Sequence, residues 1–478
     1  MFKRIATLSL GVVGLSVAFT ACKTPALVVK NENRAVPVNY NTRPGEDTLN
    51  TGLMQWQQFF TDPNLDSLIS QALRNNQELN ITTQELTLAQ NEANARRGEY
   101  MPFVGLRGEA GVDRPGRYTL AGATEEALTI RDRKIPDPLS NFAIGGFASW
   151  EVDIWRKLRN ARQSAILRYQ SSSEGRKFMV TNLVAEIASS YYELLAYDNQ
   201  LVILKENIDI QSNALRIVRI QKDAARVTEL PVRRFEAQVL NTRERQFAVQ
   251  QRIVEVENRI NFLVGRFPQP VARTTQSFAT MMPAIMHAGI PSQLLGNRPD
   301  IRRAELDLAA AKLDVQVARA NFYPRLEISA GVGFEAFNPM FLLSTPQSLL
   351  YSLVGGLTAP LVNRIGIKAV YQSANARQTQ AVYNYERTIL NAYVEVANQL
   401  ANINNLQSSY DLKTQEVQAL TQSTDIANIL FGNARADYME VLLTQRDALD
   451  ARFDLVETKQ QQMMAVINVY RALGGGWR

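Results

Sequence analysis

Few residues in this chain have the types and spacing that catalysis or metal binding requires. Its 478 residues include one cysteine, Cys22, and one histidine, His287. The sequence contains no Walker loop, paired cysteines, histidine cluster or nucleophile elbow. The acidic residues are scattered over helical stretches at the spacing of a solvated surface, and His287 is interpreted as a structural surface residue. We therefore predict a protein that is not an enzyme and has no cofactor or metal ion.

The chemistry available to Cys22 follows from its position. Lys3 and Arg4 precede an apolar run from Ile5 to Phe19, and Thr20-Ala21-Cys22 follows. A charged start, an apolar middle and a small residue before the cut are typical of a secretory leader. We predict that residues 1–21 are a signal peptide and that Cys22 becomes a lipidated N-terminus. The alternative is an ordinary signal peptide that has a cysteine nearby.

Composition excludes two classes of protein. The chain is 46% hydrophobic and 21% charged. That suffices for a folded core but provides too few apolar runs for a helical membrane protein. Loss of the leader removes Lys3 and Arg4, which leaves 50 basic residues against 46 acidic ones. Because this balance is nearly neutral for the length, we predict no nucleic-acid partner.

The hydrophobic pattern changes its period within residues 296–334. From Ile301 to Ala320 apolar residues recur at steps of three and four, which predicts a helix with Asp300 as its N-cap. From Arg325 the pattern alternates, and Pro324 marks the switch. The apolar face of this strand would contain Leu326, Ile328, Ala330, Val332 and Phe334. Such a strand suits a membrane barrel, and it also suits a half-buried position in a soluble sheet.

The same arrangement occurs twice. Met101-Pro102 matches Tyr323-Pro324 at an offset of 222 residues, and an alternating stretch follows each pair. Helical runs from Leu158 to Ala224 and from Lys368 to Phe431 come next, and each turns back into a shorter helix. The sequence thus predicts an internal duplication. The predicted segments are an extended N-terminal segment at 22–62, a first repeat at 63–265, a linker at 266–296, a second repeat at 297–473 and a tail at 474–478.

Each repeat would supply two strands, at about 103–113 and 141–152 in the first and about 325–335 and 350–361 in the second. Four strands cannot close a membrane barrel, since small barrels have about eight. An open sheet edge is not tolerated in lipid. If these strands span a membrane, the chain must therefore oligomerise.

Several segments together resemble a known family. They are Asn297-Arg298-Pro299-Asp300-Ile301-Arg302, Ala318 to Pro324, Phe262-Leu263-Val264-Gly265, Trp150-Glu151-Val152-Asp153 and the turn from Asp437 to Arg446. In their order along the chain they resemble the TolC-type outer-membrane efflux channels, specifically the lipid-anchored OprM/NodT branch, over nearly the whole mature chain. The resemblance marks Arg298, Pro299, Asp300, Pro102 and Pro324 as structural motif residues.

The resemblance implies an α+β membrane protein. Three copies would form one 12-stranded barrel in the outer membrane, with a long helical barrel and a small mixed equatorial region in the periplasm. The homotrimer would be the exit channel of a tripartite pump, with a periplasmic adaptor (membrane fusion) protein and an inner-membrane RND-type transporter as partners. In the lipoproteins that the leader resembles, Asp after the cysteine retains the protein at the inner membrane. Lys23 at this position therefore points to the outer membrane.

Other functions remain open from the sequence. Within the channel class, a duct for type I protein secretion or for metal efflux fits the same pattern. From a different class, a lipid-tethered periplasmic coiled-coil scaffold would also use the long helical runs. Such a scaffold would fold the alternating segments into a soluble sheet.

The resemblance also implies a periplasmic gate where the helix pairs turn. The candidate residues for the gate and the adaptor tip are Arg226, Thr228, Glu229, Arg435, Asp437, Tyr438 and Glu440. The sequence departs from the family pattern at Leu443, where Asp is common, and at Ala434, where Gly is common. The alternative interpretation is that these are ordinary solvated turn residues.

Overall fold

The computed structural model of the protein contains two compact units. The described residues are 24–28, 30–40, 49–130, 133–274, 278, 281, 283–284, 286–362, 364–433 and 435–478. One unit comprises the described residues of 1–31, 88–169 and 306–382, and the other those of 32–87, 170–305 and 383–478. Each unit therefore contains residues from both halves of the sequence. The predicted residue Cys22 lies outside the described residues.

The first unit contains an antiparallel sheet of four long strands in the order β1-β4-β5-β6. These strands are β1 (Phe103–Asp113), β4 (Leu139–Val152), β5 (Arg325–Ala336) and β6 (Leu349–Thr358). Their bounds lie within three residues of the four predicted strands. Each half of the sequence supplies two neighbouring strands, as the duplication predicts.

The loop between β1 and β4 has secondary structure of its own. It contains helix α4 (Leu120–Ala127) and a small hairpin of β2 (Thr129–Ile130) and β3 (Arg133–Lys134). The side chain of Thr119 accepts a hydrogen bond from the backbone N–H of Gly122 and so caps α4.

The helices include two long antiparallel hairpins. The first pairs α5 (Lys157–Asp223), of 67 residues, with α6 (Glu229–Val264). The second pairs α9 (Ile365–Gly432), of 68 residues, with α10 (Tyr438–Ala472). The helices of the described chain, apart from α4, are α1 (Trp56–Phe59), α2 (Pro63–Asn75), α3 (Gln77–Tyr100), α5 (Lys157–Asp223), α6 (Glu229–Val264), α7 (Leu294–Asn297), α8 (Pro299–Ala320), α9 (Ile365–Gly432) and α10 (Tyr438–Ala472). Among the described residues, no helix is both long and apolar enough to cross a membrane.

The helical stretch from Pro63 to Tyr100 is divided into α2 and α3 at Asn76. The amide of Asn76 donates a hydrogen bond to the carbonyl of Leu263, 2.9 Å away, and its side-chain oxygen accepts one from the N–H of Leu79. Asn76 thus caps the N-terminus of α3. It also joins this point of the chain to the C-terminal end of α6. Gly265, with φ of 76°, ends α6 beside Asn75, where a Cβ would lie 2.5 Å from a backbone oxygen.

Most of the core lies in the second unit. Its largest fully buried side chains include Leu65, Ile69, Tyr191, Ile260 and Tyr470. These residues come from the short helices of the first half and from the long hairpins of both halves. The apolar faces of these helices are therefore buried in one shared core, as expected for amphipathic helices.

Candidate membrane surface and hairpin turns

Strand register places the predicted apolar residues on one continuous face of the sheet. Ile328 is directly opposite Trp150 on β4 and Gly355 on β6, and neighbouring pairs follow the same alternation. On β1 the residues of this face are Val104, Leu106, Gly108, Ala110 and Val112. Leu106 is 90% exposed, Tyr351 83% and Leu353 77%. An exposed apolar face of this extent indicates contact with lipid or protein.

The opposite face of the sheet carries the charged residues, together with small ones and a few apolar ones such as Phe147 and Val354. Arg107 and Glu109 of β1 form an ion pair at 3.0 Å. Glu151 and Glu327 are directly opposite each other in the register. The repulsion between these carboxylates is offset by Arg325, whose guanidinium lies 2.8 Å from Glu327 and 3.8 Å from Glu151. Sequence alternation predicted the polar face but not this bridging arginine.

The two outer strands of the sheet, β1 and β6, each pair on one side only among the described residues. Each therefore presents a row of backbone N–H and C=O groups at an open edge. In lipid these groups require partners, because water is not there to satisfy them.

Each of the predicted motif prolines Pro102 and Pro324 lies between the end of a helix and the start of a strand. Pro102 precedes β1, and Pro324 precedes β5. The indole N–H of Trp155 donates to the carbonyl of Pro324 at 2.7 Å, and the same ring stacks on Tyr323 with centroids 4.7 Å apart. A cavity of about 270 Å³ at this junction is lined by Trp155, Tyr323 and Pro324 among other residues. Trp155 was not predicted as a site residue.

The first hairpin turn contains the predicted residues Arg226, Thr228 and Glu229. The N–H of Arg226 donates to the carbonyl of Gln221, and Ala225 has φ of 57°, so α5 ends in a left-handed C-terminal motif. Thr228 precedes α6, and its side chain makes no capping hydrogen bond.

Glu229 forms its ion pairs within its own hairpin. Its carboxylate lies 2.5 Å from Lys222 and 2.8 Å from Arg233. The hydrogen bond from Lys222, together with the charge of Arg233, holds the pKa of Glu229 below its ordinary value. Sequence reasoning did not include Lys222. The role of Lys222 follows from its position, because the last turn of α5 faces the first turn of α6 within the hairpin.

The second hairpin turn contains Arg435, Asp437, Tyr438 and Glu440. The N–H of Arg435 donates to the carbonyl of Leu430 at 2.8 Å. Asp437 precedes α10, and its side chain makes no capping hydrogen bond. Ala434, the predicted departure from glycine, lies outside the described residues.

The structure brings the two turns to one small apolar cluster. Val218 and Phe235 of the first hairpin pack with Val441 of the second, and Tyr438 packs partly buried against them. The charged side chains remain exposed. Within the described part of a single copy, Arg226, Arg435, Asp437 and Glu440 form no ion pair.

Arg298 is the most buried charged residue of the family motif, at 5% exposure. Its guanidinium donates to Asp300, to Glu395 of α9 at 2.9 Å and to the carbonyl of Ala472 of α10 at 2.6 Å. Burial opposes the charged form, but the hydrogen bonds and charges of Asp300 and Glu395 outweigh burial and raise the pKa of Arg298.

The prediction that Asp300 is an N-cap is wrong. The helix α8 begins at Pro299, so Asp300 lies within its first turn. Proline suits this first helical position because its fixed φ and missing N–H cost nothing there. The carboxylate of Asp300 is oriented by the guanidinium of Arg298 and accepts from the N–H of Ile301.

The N-terminal segment lies along α9. Leu27 packs against a cluster that contains Phe322 and Tyr371. Further along, the N–H of Asn33 donates to Glu386, and Tyr40 stacks on Tyr393 with centroids 5.5 Å apart. The extended segment predicted at 22–62 is therefore packed against the helices over at least part of its length.

The sheet and the hairpins define a class of protein, an outer-membrane channel subunit. The structure superimposes on that of the outer-membrane channel OprN with a TM-score of 0.84 and 23% identity, over 95% of this chain and 99% of OprN. The family model described as outer membrane efflux protein matches residues 68–266 and 290–475, more than half of the chain. The chain belongs to the outer membrane efflux protein family, which confirms the predicted family and fold class.

Two relatives match over most of their length. The pyoverdine export outer membrane protein OpmQ of Pseudomonas aeruginosa is 29% identical over 426 residues, which are 89% of this chain and 88% of OpmQ. The cation efflux system protein CusC of Escherichia coli O6:H1 is 28% identical over 425 residues, 88% of each chain. The protein is thus a channel component of an outer-membrane efflux system.

Proposed function

We propose that this protein is the homotrimeric exit channel of a tripartite efflux pump. It conducts substrates passively to the exterior from an assembly of a periplasmic adaptor and an inner-membrane RND-type transporter. The observation that carries the proposal is the exposed apolar face on a sheet with two open edges. Lipid covers such a face, and neighbouring copies pair with such edges.

Three copies account for the strand number. Four strands are too few for a closed barrel, whereas three copies supply twelve. Twelve lies within the range of outer-membrane barrels, whose strands alternate between a lipid face and a polar lumen. In this arrangement Leu106, Tyr351 and Leu353 contact lipid, and Glu151 and Glu327 face the lumen. No step of transport requires a catalytic residue of this chain.

The proposed position of the channel is the outer membrane, with the hairpins in the periplasm and Cys22 lipidated. Leu27 supports the anchor, since it packs on α8 and α9 close to the ends of the strands. Cys22 lies five positions before Leu27, a reach of at most about 18 Å for an extended chain. The acylated cysteine can therefore reach the membrane surface beside the barrel.

The cargo is proposed only at the level of class. OpmQ is named for pyoverdine export and CusC for cation efflux, so relatives of similar identity have different cargoes. We propose small solutes delivered by the transporter, with metal efflux and type I protein secretion as the alternatives within the channel class.

Purified outer membranes and planar bilayers test the channel. We expect a heat-modifiable, β-rich oligomer in the outer-membrane fraction and discrete conductance steps after reconstitution. A protein that is extracted without detergent, is purely helical and does not conduct would instead be the periplasmic scaffold. Growth in the presence of siderophore analogues, copper or antibiotics, with and without the gene, then separates the cargo classes.

The anchor has its own test. Metabolic labelling with radioactive palmitate should label the wild type and not the Cys22→Ser variant, while both still form the heat-modifiable oligomer. Equal labelling of the two proteins would exclude Cys22 as the site of acylation.

A further inference from the structure

Basic side chains outnumber available carboxylates at the junction between the sheet and its helices. The carboxylates here already have partners within the chain. Glu151 pairs with Lys157 at 3.2 Å, Asp153 with Arg159 at 3.2 Å and Glu327 with Arg325 at 2.8 Å. The acidic residues of the junction are therefore neutralised before any partner binds.

Other cations of the same junction have no carboxylate partner among the described residues of one copy. They are Arg156, Arg319, Arg364 and Lys368. Arg156 is exposed in the turn between β4 and α5, where its φ is 59°. The guanidinium of Arg364 lies 4.8 Å from the centroid of the Phe322 ring, and its buried Nε has no hydrogen-bond partner in the described chain.

Apolar and aromatic groups are exposed beside these cations. Trp155 is 45% exposed, and its N–H is occupied by the carbonyl of Pro324. Ile154 and Leu361, which are 51% and 57% exposed, follow the ends of β4 and β6. The junction therefore combines unpaired positive charge with an apolar surface that continues from the strands.

We propose that this junction binds the phosphate headgroup of an anionic phospholipid in the periplasmic leaflet, with Arg156 and Arg364 as the principal phosphate ligands. Arginine presents a fork of N–H donors that matches a phosphate. Aromatic rings and basic side chains with apolar stems are suited to the headgroup level of a membrane. The inference depends on the proposed insertion of the four strands into the membrane.

A lipid fits the junction better than a soluble anion. A free phosphate would use the cations but leave Ile154, Trp155 and Leu361 in water. A phospholipid places its acyl chains against these residues and against the lipid-facing strands, while its phosphate meets the arginines.

The test uses the full-length trimer in nanodiscs that contain phosphatidylglycerol and phosphatidylcholine, followed by native mass spectrometry of retained lipid. We expect preferential retention of phosphatidylglycerol by the wild type. Each basic residue at an anionic membrane surface strengthens binding roughly fivefold. The double variant Arg156→Gln with Arg364→Gln should therefore retain phosphatidylglycerol roughly 25-fold more weakly.

Two controls define the result. Arg156→Lys with Arg364→Lys keeps the charge but loses the fork, so its retention of phosphatidylglycerol should lie between those of the wild type and the glutamine variant. Lys205→Gln with Arg243→Gln removes the same charge from exposed positions on α5 and α6 and should leave lipid retention unchanged. Added inorganic phosphate should not displace the lipid, and displacement at millimolar phosphate would overturn the choice of a lipid.

Two further outcomes would overturn the inference. One is equal phosphatidylglycerol retention by the wild type and the glutamine variant. The other is a glutamine variant that stays folded but monomeric, which would assign the arginines to contacts between copies. Failure of the proposed function has a different signature, because the wild type itself would then give no membrane-inserted trimer.

Discussion

The guanidinium of Arg298 and the carboxylate of Asp300 form a forked pair. Nε of Arg298 lies 3.0 Å from one carboxylate oxygen of Asp300, and Nη2 lies 2.7 Å from the other. The remaining nitrogen of the guanidinium contacts Glu395 and the carbonyl of Ala472. One buried arginine thus joins the start of α8 to both helices of the second hairpin, which explains the Arg-Pro-Asp sequence in physical terms.

Arg298→Lys should destabilise the protein strongly although it keeps the charge. A lysine ammonium cannot reproduce the planar fork, and it would leave Asp300, Glu395 and a carbonyl incompletely paired. Breaking a buried pair typically costs about 3–5 kcal/mol. The thermal unfolding midpoint of the helical circular dichroism signal measures this loss. Arg302→Lys, at an exposed ion pair with Glu305, is the matched control and should change the midpoint little.

Lys459→Met should stabilise the protein near neutral pH. Lys459 is 6% exposed and lies over the ring of Tyr410 at 4.8 Å, and burial lowers the pKa of its ammonium. Because the ordinary pKa of a lysine is 10.5, the unfolded state below this pH binds the proton more tightly than the folded state does. Stability of the wild type should therefore rise with pH through the window below 10.5. The methionine variant should lack this rise.

Lys413→Met should have the opposite effect on the pH dependence of stability, because the pKa of Lys413, on α9, is raised. Lys413 lies 2.9 Å from Asp454 and 3.0 Å from Glu416, and these hydrogen bonds raise its pKa. Its stabilisation is present below 10.5 and is lost as pH rises through the raised pKa. Denaturant unfolding from pH 7 to pH 11 compares the two variants. Identical pH profiles for both would contradict the assignment of opposite shifts.

Val332→Arg should block membrane assembly, whereas Ser329→Arg should be tolerated. Both residues lie in the middle of β5, but Val332 is on the apolar face opposite Tyr351 and Ser329 is on the other face. Arginine on the lipid face near the midplane costs about 2–4 kcal/mol per copy. Heat-modifiable trimer in the outer-membrane fraction is the measurement. Greater damage from Ser329→Arg would reverse the assignment of lipid face and lumen.

The gate hypothesis predicts that Asp437→Ala combined with Arg226→Ala raises passive conductance. Neither charge has an ionic partner among the described residues of one copy, so the hypothesis assigns both to contacts between copies. Exposed ion pairs contribute only about 0–1 kcal/mol each, and threefold repetition adds these small terms. Planar-bilayer conductance and sensitivity to large antibiotics measure the effect.

The control for the gate experiment is Arg252→Ala with Glu255→Ala. This double variant removes a 2.9 Å ion pair from α6 at a distance from the turn. It should conduct like the wild type. Unchanged conductance of the Asp437 and Arg226 variant, with trimer assembly verified, would assign the gate to other residues.

The strands were predictable because one face must be apolar throughout. The alternation from Leu326 to Phe334 is visible in the local sequence. Only the alignment of this strand with its neighbours had to come from the structure. The break at Asn76 was not predictable, since its cause is a hydrogen bond to Leu263, 187 residues away. The same holds for Arg325, because the opposition of Glu151 and Glu327 exists only after two distant strands pair. Local pattern predicts elements, whereas side-chain partners depend on the fold.

The open edges of β1 and β6 have a kinetic consequence. If three copies close the barrel, an inserted single chain would expose two rows of unpaired backbone groups to lipid, so insertion and association must be coupled. Inserted channel then depends on the third power of the free subunit concentration when assembly is incomplete. Halving the supply of subunits would lower the number of channels about eightfold under these conditions, by mass action. The number of channels would thus change much more steeply than the expression level of the subunit.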